Sequence, residues 1–204
     1  MKMKVLIVTT LLTCMLMLKA QDTIQADTLW KFSGITSLSF SQLSLTNWAA
    51  GGSNSISGNA LVKLSPDYDD GTLQWDNDLI LGFGLINQGN EPTRKSDDQI
   101  ELSSKFGYRA SKNWFYSAML SFKTQFAEGY DEEDPENRTK ISNFMSPGYL
   151  SLALGMDYKP NDKFSLLLSP VSAKMTFVLD DDLSEAGSFG LDPGDRVRGE
   201  FGAT

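Results

Sequence analysis

The sequence predicts an all-β protein: an antiparallel up-and-down transmembrane β-barrel of about seven strands plus the start of an eighth. Three observations predict it. Long segments alternate apolar and polar residues with period two, aromatic residues gather near segment ends, and the connections alternate between long and short.

The stretch Gln99–Phe126 displays the pattern most fully. Ile100, Leu102, Phe106, Tyr108 and Ala110 share one face, opposite Gln99, Glu101, Ser103, Lys105 and Arg109. Ser111-Lys112-Asn113 turns the chain, and Trp114, Tyr116, Ala118, Leu120, Phe122 and Phe126 carry the apolar face back. Each arm is long enough to cross a bilayer, which takes about 9 to 11 tilted residues.

The other elements follow in order. Residues 1–20 read as a cleavable secretory signal peptide: a basic start at Lys2 and Lys4, an apolar run from Val5 to Leu18, and a small residue at Ala20. Lipidation at Cys14 is disfavoured by Thr13 before it, and the apolar run is short of the roughly 18 residues that a spanning helix needs. Residues 21–204 then form the barrel domain. Trp30, Phe32, Leu38 and Phe40 mark the first strand, and Gln42–Ser53 a long loop. Asn54–Tyr68 is the second strand, joined through Asp69-Asp70-Gly71 to a third spanning Leu73–Leu85. The Asp-Gly pair predicts a type I′ hairpin turn. Asn87–Asp98 is expected as a loop, as is Ala127–Ser146 after the central hairpin. A sixth strand carries Leu150, Leu152, Leu154, Met156 and Tyr158, and Pro160-Asn161-Asp162 turns into a seventh. There the apolar parity shifts at Pro170, from Phe164, Leu166 and Leu168 to Val171, Ala173, Met175 and Phe177, which predicts a β-bulge. Asp180–Asp195 is a last loop before a strand near Val197. The aromatics Trp30, Tyr68, Trp75, Tyr108, Trp114, Tyr130 and Tyr158 lie near strand ends, as in interfacial girdles.

Composition narrows the chemistry. The chain has no histidine, which removes Ser-His-Asp triads and histidine metal sites. Its one cysteine, Cys14, lies in the signal segment, so the mature chain has no disulfide. Losing Lys2, Lys4 and Lys19 with that segment moves the formal charge from -8 to -11, a poor surface for nucleic acid.

No catalytic, cofactor-binding or metal-binding residue is assigned, and the chain is expected not to be an enzyme. On the barrel reading the inward polar residues are Lys63, Asp76, Asp78, Glu101, Lys105, Arg109, Lys123, Asp157 and Lys159. Their mixed signs predict mutual neutralisation across strands, the alternative being a selective pore with a charged constriction. A glycosidase-like carboxylate pair, Asp76 with Glu101, is the enzymatic rival. The acidic runs Asp131–Glu136 and Asp180–Asp182 lack EF-hand spacing and read as solvated. Asn47-Trp48-Ala-Ala-Gly-Gly52 reads as a loop that folds into the barrel mouth, or that offers Trp48 to a sugar or lipid headgroup.

Several segments resemble a family of Bacteroidota outer-membrane β-barrel proteins catalogued as a domain of unknown function. They are Ser41–Gly52, Trp75-Asp-Asn77, Ser104–Tyr108, Phe122-Lys-Thr-Gln-Phe126, Ile141–Phe144 with Ser146–Tyr149, Leu154–Pro160 and Leu168-Ser-Pro170. The resemblance implies an exported protein of the cell outer membrane, with outer-membrane lipid and the barrel assembly machinery as partners, and no established activity. It also implies further strands ending on a terminal aromatic, whereas this sequence ends Phe201-Gly-Ala-Thr204. The expectation is therefore a truncated sequence forming an open or imperfectly closed sheet. The expected role is structural, displaying loops, or passing small polar solutes in a porin-like way. The alternative is a soluble periplasmic β-barrel that binds an apolar ligand inside.

Overall fold

A computed structural model describes residues 29–45, 52–131, 138–161 and 163–203. The signal segment, Trp48 and most of Asp131–Glu136 lie outside the described residues.

Ten strands follow in order: β1 (Trp30–Leu43), β2 (Ser55–Asp69), β3 (Leu73–Gln88), β4 (Arg94–Arg109), β5 (Trp114–Thr124), β6 (Gly129–Tyr130), β7 (Lys140–Ser142), β8 (Gly148–Asn161), β9 (Phe164–Phe177) and β10 (Val197–Gly202). Among the described residues a short α-helix, α1 (Asp181–Glu185), and a 3-10 turn (Ser188–Gly190) precede β10. Eight strands form one sheet in the order β1-β2-β3-β4-β5-β8-β9-β10, every neighbouring pair antiparallel. The fold is all-β and up-and-down. The sheet is open, with β1 and β10 as its edges, and β6 and β7 form a separate hairpin between β5 and β8.

The faces are inverted relative to a water-soluble sheet. Phe106 and Leu152 are about 40% exposed, and Leu38 and Phe40 far more so. The buried polar side chains of the sheet lie mainly on the concave face: Ser117, Asp157, Ser169 and Thr176. The single apolar cluster among the described residues, Val178, Leu183 and Leu191 with Phe189 against it, lies beyond the end of β9, outside the sheet. The sheet is thus not built around a greasy interior of its own.

The bulge expected at Pro170 is present. Leu154 pairs with Val171 but Met156 pairs with Leu168, so β9 carries one residue more than β8. Proline offers no N–H to the ladder, and the Ser169 hydroxyl contacts the carbonyls of Leu154 (2.9 Å) and Val171 (2.7 Å). Gly155 faces the bulge so closely that a Cβ there would lie 2.0 Å from the Leu168 carbonyl oxygen.

Three expectations need correction. The loop Asn87–Asp98 is mostly strand, because β3 runs to Gln88 and β4 starts at Arg94. Ser96 is an extra residue opposite Gly84–Leu85, and this bulge together with polar residues on both faces hides the alternation. The turn at Asp69-Asp70-Gly71 is a hairpin but not type I′, since only Gly71 has positive φ (84°). The Asp70 carboxylate accepts from Thr72 and Leu73 N–H at 2.8 and 2.7 Å, and these bonds hold the turn in place of a second left-handed residue. Finally, the loops after β5 and β9 are not featureless: they contain the β6–β7 hairpin and α1.

Candidate functional site: the concave face and the loop cap

The candidate residues on the concave face assemble as ion pairs. Lys63 lies 2.9 Å from Asp78, whose carboxylate also accepts from Ser65 at 2.6 Å. Lys123 bonds Glu101, its direct cross-strand partner. At the short-turn end, Lys105 reaches Asp157 at 3.0 Å and Asp76 at 3.9 Å, and Lys159 reaches the same two carboxylates at 3.7 and 3.5 Å. The Asp157 side chain is 1% exposed and takes a further bond from Ser165 at 2.7 Å. Arg109 stands apart from the carboxylates, donating to the carbonyls of Gly71 and Lys112.

The expected neutralisation is therefore observed for eight of the nine candidate residues, the exception being Arg109. Asp76 and Glu101 are not cross-strand partners: Asp76 pairs with Lys105 and Glu101 with Ile80, and each carboxylate is ion-paired with lysine. Among the described residues no three acidic groups converge in a way that could hold a metal ion.

Small residues make the long reach from Lys105 feasible. Between β4 and β8 lies β5, where Ser117, opposite Gly107, is a small residue in the path from Lys105 to Asp157. Phe115, buried to 3% exposure, is the one large apolar group buried on this face among the described residues. Arg109 lies 4.8 Å and Lys159 5.5 Å from its ring centre, so the aromatic serves as a platform for two cations.

Aromatics line the convex face at the same end. Trp30 contacts Tyr68 and Trp75 with ring centres 5.2 and 5.8 Å apart, and Trp114, Tyr158 and Phe164 form a second group at 4.8 and 6.5 Å. The Trp75-Asp-Asn77 segment has a local reason to exist. The β2–β3 ladder is interrupted around Pro66, and Asn77 bridges the gap by donating its amide to the Pro66 carbonyl at 2.9 Å. The Asn77 carbonyl in turn accepts from Ser104, which accepts from the Trp75 indole, at 2.7 and 2.8 Å.

At the long-loop end, Asp180 joins two loops. It caps α1 by accepting from Leu183 N–H, and takes bonds from Lys140 and Asn143, both at 2.8 Å. Its own N–H donates to the buried Ser146 hydroxyl at 2.8 Å. Burial pushes the Asp180 carboxyl up, but the bonds from Lys140, Asn143 and Leu183 outweigh it and hold the group at about 2. Lys140, which also bonds Asp182 at 2.7 Å, is held above its ordinary range by the two carboxylates. This cluster was missed in the sequence, where Asp180–Asp182 reads only as a solvated acidic run.

Fold and site together define an all-β protein whose eight-stranded antiparallel sheet turns charge inward and apolar side chains outward. Residues 40–130 match the model of a family described as a protein of unknown function, DUF3078. No curated protein and no solved structure matches the chain.

Proposed function

We propose that the chain is an exported outer-membrane β-barrel protein of the Bacteroidota type, delivered by the signal peptide at 1–20. It anchors and displays its long loops, with any passage confined to small polar solutes. One observation carries the reading: the sheet's exposed face is apolar while its buried face is charged and hydroxylated. Water penalises the first and lipid removes that penalty. The girdle of Trp30, Tyr68, Trp75, Trp114 and Tyr158 at one end of the convex face supports it, as aromatic rings favour the headgroup level. The resemblance to a Bacteroidota outer-membrane family points the same way. Covalent catalysis has no support in the site, since the inward carboxylates are held by lysines.

The rival, a soluble barrel with an apolar ligand inside, requires greasy residues on the concave face, and that face carries Lys105, Lys159, Asp76 and Asp157. The test is cell fractionation together with electrophoresis in detergent with and without boiling. Recovery in the outer membrane and faster migration of the unboiled protein are expected. Recovery in the soluble periplasm would defeat the proposal.

A further inference from the structure

At the short-turn end the concave face opens into a cleft of about 740 Å³ whose charged lining is Lys105, Arg109, Lys112, Lys159, Lys163 and Asp76. Five cations against one carboxylate is an unusual local excess in a chain with a net charge of -8. Lys105 and Lys159 are neutralised by Asp76 in the cleft lining and by the buried Asp157. Arg109, Lys112 and Lys163 are not: among the described residues none has a carboxylate within ion-pair distance. Asp69 and Asp70 in the adjacent β2–β3 turn direct their oxygens to Gly71, Thr72 and Leu73 amides and to the Gln74 side chain, and Asp162, next to Lys163 in sequence, lies outside the described residues.

Fixed geometry accompanies the charge. Arg109 is anchored through Nε and Nη1 to the Gly71 and Lys112 carbonyls and lies over Phe115, which leaves its Nη2 edge uncommitted among the described residues. A guanidinium so held, with two flexible ammonium groups at the rim, matches an oxyanion, which needs several convergent donors and gains from charge-assisted bonds. The concave setting excludes bulk water from one side and strengthens the attraction.

We infer that this cleft binds a small water-borne oxyanion, a phosphate or a carboxylate-bearing solute, entering from the short-turn end. The inference deepens the outer-membrane reading and rests on it for the view of the cleft as a lumen mouth, but binding itself requires only the cleft. The test is calorimetric titration of the full-length protein in an uncharged detergent, with inorganic phosphate compared with chloride at matched ionic strength. Saturable binding of phosphate is expected, weakened at least tenfold in Lys112→Gln/Lys163→Gln and unchanged in Lys123→Gln. Both mutated lysines are exposed, and the strands do not depend on them. As a second measurement on the unaltered protein, phosphate should slow acetylation of Lys112 and Lys163 but not of Lys31. Absence of saturable binding, equal affinity in the double variant, or lack of protection would overturn the inference. So would binding of anionic lipid doped into the micelles without binding of inorganic phosphate. Fractionation reports separately on the outer-membrane reading, so the two can fail independently.

Discussion

Lys159 on β8 donates to the Gln74 side chain on β3 at 2.9 Å, although β4 and β5 lie between them. On a flat sheet the two backbones would be about 14 Å apart, with side chains standing in parallel. The bond exists because the sheet curls toward its charged face. Lys105 reaching Asp157 over β5 reports the same curvature.

Breaking the buried end of this network should be costly. Asp157→Ala removes the buried carboxylate that Lys105 and Lys159 share and leaves them only the half-exposed Asp76, at 3.9 and 3.5 Å. A loss of roughly 3–5 kcal/mol is expected from urea unfolding in detergent. Lys123→Ala, whose partner pair is largely exposed, should cost no more than about 1 kcal/mol. Equal effects at the two sites would count against the network as a unit.

The convex face offers a sharper discrimination. Leu102→Arg or Leu152→Arg places a cation at an exposed mid-strand position. In lipid each should cost roughly 2–4 kcal/mol, measured by folding into vesicles. A protein with that face in water would tolerate either within about 0.5 kcal/mol.

Gly155→Ala should disrupt the β8–β9 pairing. Its new methyl would collide with backbone at the Ser169–Pro170 bulge and not with a side-chain tip that could move aside. A penalty of about 1–3 kcal/mol or more is expected in the same unfolding assay, and Gly199→Ala, which meets nothing within 4 Å, is the matched control.

The loop cap should loosen in acid. The Asp180 carboxyl is depressed on folding, so its contribution is fully present above the ordinary carboxylate range and is lost as pH falls through about 2. Hydrogen exchange in residues 178–196 should rise over that interval. Asp180→Asn should abolish the pH step and, by weakening the α1 cap and the Lys140 bond, cost roughly 2 kcal/mol at neutral pH.

Much of the architecture was legible because period two survives wherever one face must be apolar. The parity change at Pro170 located a real bulge, since apolar residues flank it on both sides. The bulge at Ser96 left no such trace, because Arg94, Lys95, Asp97 and Asp98 are polar on either parity. The candidate ion-pairing residues could be named from alternation, but their partners could not. Glu101 with Lys123 follows from adjacent register, whereas Lys105 with Asp157 depends on curvature that no local pattern encodes. The helix α1 is too short for helical periodicity to register, although Asp180 before two further acids is the composition of a helix start.

Val178, Leu183 and Leu191 give the loop cap a waterproof knot of its own. Exchanging one amphiphile for another around the strands should therefore leave this knot undisturbed, and a reporter attached beside it would follow events at the rim rather than the solvation of the wall.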